Sequence, residues 1–366
     1  MINYLKIFVK KFFFLLNFLA AIYALFVIEL AYHADIKHWI AGFLGLTVPF
    51  AIVVNIFFFV SYLLSTSWKA VISFLVLLVA YPLLNRTIRF KFSKADLVRN
   101  ESAFSVLSYN VMYLDAAKFH TDGEDSESRQ IINDLTSIDA DIKCVQELYN
   151  KDGHPVLNSI KKIRIKNPYY IYLESERKRK NNQSGVGLSI FSKYPIVNSM
   201  EVPFGVNNNG FLIADIATPK GTIRVINVQL RSMGIRVAKA LTADENVRNK
   251  EARNILSQLK YGFTDRGLQV NQLEDFLQNS PYPVILAGDF NELPYGFAYG
   301  KASKYLANAF EKKGSGFGFT YHKLPSFLRI DNIFFSQETF EISDFNTYKI
   351  MDGSDHYPIK ADLYFK

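Results

Sequence analysis

The sequence predicts an α/β fold preceded by transmembrane helices, and two observations carry this prediction. From about residue 100 onward, apolar runs of strand length bounded by turn residues alternate with segments of helical periodicity. Before that point, three long apolar runs follow one another with few charges. A chain of 366 residues is also long enough for two or three folding units. We therefore expect a membrane domain over residues 1–95 and a folded α/β domain over residues 96–366.

The membrane domain is expected to contain about three transmembrane helices. They are predicted at residues 12–32, 40–64 and 69–85. A helix of roughly 20 apolar residues crosses the hydrocarbon core of a bilayer. Pro49 should kink the second run, and Trp68 with Lys69 would anchor the shorter third run at one interface. No small-residue cleavage site follows the first run, so a removed signal peptide is not expected.

The flanking charges bear on the orientation of these helices. Lys6, Lys10 and Lys11 precede the first run and favour a cytoplasmic N-terminus, which would place the C-terminal domain outside the cytoplasm. The basic segment 86–99 follows the third run and favours the opposite arrangement. The first helix usually dominates, so the prediction leans slightly to the extracytoplasmic side. The basic segment itself would either lie against anionic head groups or serve as a solvated tether.

Five short polar motifs stand at the ends or heads of predicted strands in residues 96–366. They are Ser108-Tyr109-Asn110, Gln146-Glu147, Gly288-Asp289-Phe290-Asn291, Arg329-Ile330-Asp331 and Ser354-Asp355-His356. Loops at strand ends hold reactive groups over a rigid sheet. Carboxylates, a carboxamide and an imidazole suit a hard divalent cation beside a phosphoryl group. Two helices, at residues 243–263 and 267–280, are predicted shortly before the third motif.

These motifs, in this order, resemble those of the endonuclease/exonuclease/phosphatase superfamily, which also contains sphingomyelinases and inositol polyphosphate 5-phosphatases. The resemblance covers roughly residues 100–366. It implies the deoxyribonuclease I-like fold, a four-layer α/β sandwich with two mostly antiparallel sheets face to face and helices outside. The C-terminal pattern, a GxGxTY loop followed by RIDNIFF, is similar to that of membrane-tethered bacterial members. The expected location is therefore the bacterial inner membrane, as a multi-pass protein.

The resemblance also implies a metal site. Glu147 would be the main ligand, and Asn110 and Asp355 would complete the shell through oxygen atoms. Mg²⁺ is the expected cofactor because few protein oxygens are available and this ion retains several waters. Mn²⁺ is the expected substitute.

The remaining motif residues are expected to act on the substrate. Asp289 would orient or deprotonate the attacking water, and Asn291 would point the same way on an extended segment. His356 would donate to a phosphoryl oxygen, with its imidazolium supported by Asp331. Arg329 would contact the substrate phosphate or pair with a neighbouring acid.

One position departs from the family pattern. Phosphodiesterases of this family commonly read Asn-x-His-Leu where this chain has Asn227-Val228-Gln229-Leu230. Gln229 can donate a hydrogen bond but cannot carry a positive charge, and charged donors bind a developing dianion more strongly. Arg231, two residues on, could supply the missing charge. A reduced rate or a shifted substrate preference is expected, with an inactive protein as the alternative.

Three functions remain open at this stage. The first is a membrane-anchored, Mg²⁺-dependent phosphoesterase that hydrolyses a phosphodiester such as a lipid head group. The second is a membrane-tethered nuclease acting on DNA or RNA, and the third is a non-catalytic protein that binds phosphate ligands, which Gln229 permits.

The expected partners are membrane lipids and a phosphate ester, with nucleic acid as the alternative and no obligate protein partner. A net charge of +8 favours such anionic partners, although basic flanks are common in inner-membrane proteins. The basic run Arg177–Lys180 would form an exposed loop, and Tyr169, Tyr170 and Tyr172 could stack on bases or lie in the core. Cys144, the single cysteine, is expected to be a core hydrophobe.

Overall fold

The computed structural model describes most of the chain. The residues it describes are 2–32, 38–90, 103–122, 127–174, 185–204, 209–232, 245–323, 326–349, 351 and 353–366. The predicted basic loop Arg177–Lys180 and the predicted domain boundary at residues 95 and 96 lie outside these ranges.

Four helices form the described residues of the N-terminal part. They are α1 (Ile2–Tyr32), α2 (Trp39–Gly45), α3 (Val48–Leu64) and α4 (Ala70–Thr87). Among the described residues, two helices are long and apolar enough to cross a membrane, and a third crossing results if α2 and α3 count as one bent span. Two or three spans are therefore consistent with the prediction.

The second predicted span is broken rather than continuous. Helices α2 and α3 meet at an angle of 43°, and the break at Leu46 and Thr47 comes directly before Pro49, which lies in the first turn of α3. Proline has no N–H to contribute to a preceding turn and is well tolerated where a helix begins. The predicted kink is therefore a helix boundary.

Small and polar side chains hold the helices together. Ala24, Ile28 and Ala80 are buried where α1, α3 and α4 meet. The Ser73 hydroxyl donates to Asn17 Oδ1 at 2.8 Å. Small residues let apolar helices approach closely, and side-chain hydrogen bonds across helices add to their association.

Two six-stranded sheets form the centre of the C-terminal part. The first has the order β11-β12-β1-β2-β4-β3 and the second the order β5-β6-β7-β8-β10-β9. The strands are β1 (Ala103–Asn110), β2 (Ile142–Asn150), β3 (Tyr169–Glu174), β4 (Gly185–Ser192), β5 (Ile196–Pro203), β6 (Gly210–Thr218), β7 (Gly221–Gln229), β8 (Val284–Asp289), β9 (Ala307–Asn308), β10 (Asp331–Phe335), β11 (Phe340–Thr347) and β12 (Ile359–Phe365). Only β1–β2 and β7–β8 pair in parallel among the described strands. One apolar cluster contains inward-facing residues of both sheets, Val106 and Ile285 among them, so the sheets pack face to face.

Helices cover the outer faces of both sheets. They are α5 (Ala116–Asp122), α6 (Ser128–Ser137), α7 (Ser159–Ile163), α8 (Glu245–Gln278), α9 (Phe297–Tyr305) and α10 (Ala309–Lys313). Residues of α6 pack on the first sheet, and residues of α8 and α9 pack on the second. The predicted four-layer α/β sandwich is confirmed, and Cys144 is buried in its core.

The prediction of two helices before β8 is wrong, because α8 is one continuous helix of 34 residues. Gly267 lies inside it, at a cost of about 1 kcal/mol relative to alanine. Phe263, Val270 and Leu273 are buried on either side of this glycine. Their packing against the domain and the absence of proline keep the helix continuous.

Candidate active site

The predicted motif residues meet where β1, β7 and β8 end and β10 begins. Glu147 lies at an irregularity inside β2, which continues to Asn150, and not at the predicted strand end. In the second sheet, Gln229 pairs with Asp289 and Asp289 pairs with Asp331. In the first sheet, Asn110 pairs with Gln146, the neighbour of Glu147. Because the two sheets are stacked, these ends form one cluster.

Unusual backbone geometry holds three positions of this cluster. Glu147 has a φ of 54° and Asn291 a φ of 49°, and the β2–β4 register shifts between Val145 and Leu148. Gly288 has a φ of 146°, and a Cβ there would overlap the Val228 carbonyl. Such bulges and left-handed residues persist only where the surrounding structure fixes them, and they concentrate at functional sites.

Three hydrogen bonds fix the Asp289 carboxylate. The Asn291 backbone N–H donates to Oδ1 at 2.8 Å, and the Asn291 side chain donates to Oδ2 at 3.0 Å. The Asn110 amide donates to the same Oδ2 at 3.1 Å. Burial and the nearby Asp331 raise the pKa of Asp289 despite the opposing effects of His356 and the Asn291 N–H. A carboxylate with a raised pKa is a better proton acceptor.

His356 and Asp331 form a buried ion pair. The distance from His356 Nδ1 to Asp331 Oδ2 is 2.8 Å, and the Thr320 hydroxyl accepts the Asp331 backbone N–H at 3.1 Å. Burial alone would lower the pKa of His356, but the Asp331 and Asp289 carboxylates outweigh it and raise this pKa to about 10. The imidazole is therefore protonated at neutral pH. Its Nε2 lies 3.9 Å from Asp289 Oδ2 and 4.0 Å from Asp355 Oδ1.

Glu147 lies beside this pair and is held by two amides. Gln229 Nε2 donates to Glu147 Oε1 at 2.6 Å, and Asn110 Nδ2 lies 3.4 Å from the same oxygen. Burial and the nearby Asp355 raise the pKa of Glu147, against the opposing effect of His356. The glutamine at the departing position thus orients Glu147.

The cluster has more negative charge than its own cation balances. Glu147, Asp289, Asp331 and Asp355 surround the imidazolium of His356. Asp331 Oδ1 is buried with no hydrogen-bond partner among the described residues. Buried carboxylates are stable when they are paired or coordinate a metal, so the cluster fits a divalent cation.

Two sets of residues could hold that cation. Asp289, Asp331 and His356 offer ligand atoms within 4.8 Å of one another, but His356 Nδ1 is already paired with Asp331. The predicted set, Glu147 with Asn110 and Asp355, offers oxygen atoms alone, which is the ligand type that Mg²⁺ prefers. The predicted set therefore stays a prediction for this ion.

The two predicted arginines have other partners. Arg231 pairs with Asp265 of α8 and keeps a side chain that is 42% exposed. Arg329 is buried, and its Nη2 donates to the Arg86 carbonyl at 2.7 Å while its Nη1 donates to Asn332 Oδ1. The Arg329 guanidinium is therefore bonded to the carbonyl at the end of α4. This bond takes the place of the phosphate contact and of the acidic partner that were predicted for Arg329.

Sequence reasoning missed two supports of the site. Arg266 of α8 is 1% exposed, and its Nη1 donates to the Asn291 and Arg231 carbonyls at 2.8 and 3.2 Å. The ring of Tyr321 lies edge-on to His356 at 5.2 Å between centroids. The sequence signal for Tyr321 was its position in the GxGxTY loop. Arg266 lies in a helix rich in polar residues, and its sequence neighbours do not distinguish it from the other charged residues there.

The comparison with known families decides the classification. The family model described as "Endonuclease/Exonuclease/phosphatase family" matches residues 107–356, which contain every residue of the cluster. This chain belongs to the endonuclease/exonuclease/phosphatase family. Members of the family are metal-dependent hydrolases that act on phosphodiester or phosphate esters.

Three solved structures are similar to this chain, and the first of them supports the fold. An endonuclease/exonuclease/phosphatase from Beutenbergia cavernae DSM 12333 is 17% identical, with a TM-score of 0.52 over 72% of each chain. A family protein from Bacteroides thetaiotaomicron is 18% identical, with a TM-score of 0.49 over 72% of this chain and 95% of that one. Sphingomyelinase C from Streptomyces griseocarneus is 19% identical, with a TM-score of 0.48 over 71% and 99%. At these identities the likeness concerns the fold alone.

Two further comparisons concern the rest of the chain. A family model described only as a domain of unknown function matches residues 10–87, the region of the four N-terminal helices. The comparison with curated proteins gives no match.

Proposed function

We propose that this endonuclease/exonuclease/phosphatase family protein is a membrane-anchored, Mg²⁺-dependent phosphodiesterase that acts on a lipid head group or a related ester. The observation that carries the proposal is the buried Asp331–His356 pair beside Asp289 and Glu147. This arrangement provides a proton acceptor, a charged donor and a metal ligand within one cluster.

The side chains divide the work of hydrolysis. Asp289, fixed by Asn291 and Asn110, would orient the attacking water and accept its proton as the water oxygen bonds to phosphorus and the bond to the leaving oxygen breaks. His356 would donate from Nε2 to a phosphoryl oxygen and offset the charge that develops there. A Mg²⁺ ion held by Glu147, Asn110 and Asp355 would supply further charge neutralisation.

The site could work without the histidine that phosphodiesterases of this family commonly have at the position of Gln229. Its amide donor is bonded to Glu147 rather than free for the phosphoryl group. Among the described residues of the cluster, the role of a charged donor then falls to His356, whose pKa is raised to about 10. We expect a slower enzyme rather than an inactive one, because losing one oxyanion donor typically costs about 10²–10³ in rate.

The anchor supports the choice of a lipid substrate. Two or three apolar helices precede the site in the chain and fit a bilayer. A substrate that shares the membrane with the enzyme is met without diffusion from bulk solution. We place the site on the extracytoplasmic side of the membrane, because the lysines before the first span favour a cytoplasmic N-terminus.

A nuclease is the second candidate because of one surface. A groove of about 610 Å³ is lined by residues that include Lys161, Arg164 and Tyr170, and Tyr169 is also exposed. Cations beside exposed rings are typical of single-stranded nucleic-acid binding. Tyr170 is already engaged, however, because it stacks on Phe191 and lies under the Arg164 guanidinium.

The test uses the full chain in lipid nanodiscs with bis(p-nitrophenyl) phosphate. We expect turnover with Mg²⁺ or Mn²⁺, none with EDTA, and losses of at least about a hundredfold in Glu147→Gln and Asp289→Asn. Asp275→Asn, on the exposed face of α8, is the matched control and should keep full activity. Turnover that survives EDTA or both active-site changes would overturn the proposal. No turnover on this ester or on any phospholipid vesicle would favour the non-catalytic binding protein.

Salt dependence then separates the two substrate classes. Nucleic-acid binding releases counterions, so its affinity falls steeply as salt rises. A zwitterionic phospholipid should show little such dependence. Cleavage of an oligonucleotide in preference to phospholipid vesicles, with a steep salt slope, would replace the lipid assignment by the nuclease.

A further inference from the structure

The N-terminal helices contact residues next to the candidate site at two places, and they reach it through α8 at a third. These contacts involve the segment after Asp289, the residues after Gln229 and the residue pair before Asp331. A tether would require none of them, since it acts through its length alone.

The first contact runs from α2 through α8. Gly42 of α2 lies so close to Phe263 that a Cβ there would overlap the ring. The Arg266 guanidinium lies over the same ring, 4.7 Å from its centroid. Arg266 in turn donates to the carbonyls of Asn291 and Arg231. The position of α2 is thus transmitted to the segments that follow β8 and β7.

The second contact is made by the segment that follows Asn291. Tyr295 is 5% exposed and is buried in the apolar cluster of the N-terminal helices. Its hydroxyl hydrogen-bonds to Thr87 at the end of α4, and Arg86 Nη1 donates to the Pro294 carbonyl at 3.3 Å. The segment that fixes Asp289 through Asn291 therefore rests on α4.

The third contact joins the end of α4 to the strand that carries Asp331. Arg329 Nη2 donates to the Arg86 carbonyl, and its guanidinium lies 4.4 Å from the ring centroid of Phe310. The carbonyl end of a helix is its negative pole and favours a cation. The buried guanidinium thus couples the end of α4 to the start of β10.

From these contacts we infer that the N-terminal helices are positioning elements of the active site, and that Gly42, Thr87 and Arg86 are positioning residues. This inference rests on the proposed function and deepens it. Through Asn291 and Asp331 the helices hold the groups that orient the water and the imidazolium. A displacement of about 1 Å in such groups can cost about a hundredfold in rate.

The test compares contact variants with matched controls in the full chain in nanodiscs. Gly42→Ala introduces the overlap with Phe263, and Thr87→Val and Tyr295→Phe each remove one hydroxyl of the second contact. The controls are Tyr62→Phe, whose buried hydroxyl has no partner among the described residues, and Val53→Leu, on a side chain that is 62% exposed.

Two measurements decide the outcome. For a soluble diester, kcat should fall about tenfold or more in Gly42→Ala and by a smaller factor in the hydroxyl variants, with KM unchanged and with the controls at wild-type values. Hydrogen–deuterium exchange of residues 287–296 should increase in the contact variants alone. Because exchange does not depend on turnover, it tests the inference even if the wild-type chain is inactive.

The proposed function and the positioning role of the helices are overturned by different results. An inactive wild-type chain whose exchange responds as expected would remove the proposed function and keep the positioning role. An active wild-type chain whose contact variants keep both kcat and exchange would overturn the inference and leave the function intact. If Gly42→Ala does not fold, the same decision rests on Thr87→Val and Tyr295→Phe.

Discussion

At the scale of single residues, we expect the ion pair of His356 with Asp331 to set the alkaline limit of activity. The neighbouring carboxylates raise the pKa of His356 to about 10. In Asp331→Asn the largest of these raising effects is lost while burial still lowers the pKa. We therefore expect the alkaline limb of the kcat–pH profile to move to lower pH in this variant, measured with the soluble diester. A limb that stays in place would show that another group controls it.

The same ion pair predicts how stability depends on pH. The pKa of His356 rises from 6.5 in the unfolded chain to about 10 in the folded one. Its stabilising contribution is thus fully present below pH 6.5 and is lost as pH rises toward about 10. The Tm of the metal-free protein should fall over this window more than that of His356→Gln, as followed by differential scanning calorimetry. Parallel curves for the two proteins would contradict the assignment.

Gln229 should act on the metal rather than on the chemical step. Its amide donates to Glu147 Oε1 at 2.6 Å, and partners that orient a metal ligand typically contribute 10–100-fold in affinity. In Gln229→Ala we expect the Mg²⁺ concentration for half-maximal activity to rise by about tenfold or more, with a smaller change in kcat at saturating Mg²⁺. A fall in kcat with unchanged Mg²⁺ dependence would instead place this amide on the phosphoryl group.

At the scale of elements, substitution by alanine should have opposite effects on stability at two glycines. Gly288, the last residue but one of β8, has a φ of 146°, and a Cβ there would overlap the Val228 carbonyl. A Cβ on Gly267 inside α8 meets nothing within 4 Å. Gly288→Ala should destabilise the fold by several kcal/mol, on the order of 3 or more. Gly267→Ala should stabilise it by about 0.5–1 kcal/mol. Urea unfolding of both variants measures the difference, and equal effects would contradict it.

The sequence predicted the elements that carry the site because their signals are local. Asn110 and Asp289 each end an apolar run, and strand ends in stacked sheets meet at one edge. Glu147 is also predicted to end a strand, but it lies at a register shift inside β2. Other features depend on contacts between distant parts of the chain. The partner of Arg329 is a carbonyl 243 residues away, and the continuity of α8 depends on packing that no local pattern records.

At the scale of the whole molecule, metal binding should be linked to folding. The cluster around Glu147 carries repelling carboxylates whose pKa values are raised by burial. A ligand that binds only the folded state stabilises it, by about 2.7 kcal/mol at a hundredfold excess over Kd. We expect Mg²⁺ to raise the Tm of the wild-type chain and to have little effect on Glu147→Gln. An equal rise in both proteins would place the ion elsewhere.

The bond between Arg329 and the end of α4 has a consequence for the geometry of action at a bilayer. An active site on a flexible linker can take many positions relative to the bilayer. An active site fixed to its membrane helices keeps one height above the bilayer surface and one orientation. For a lipid substrate, such an enzyme samples only the head groups that reach this height. Its rate should therefore depend on how far the head group of the substrate lipid extends from the bilayer surface.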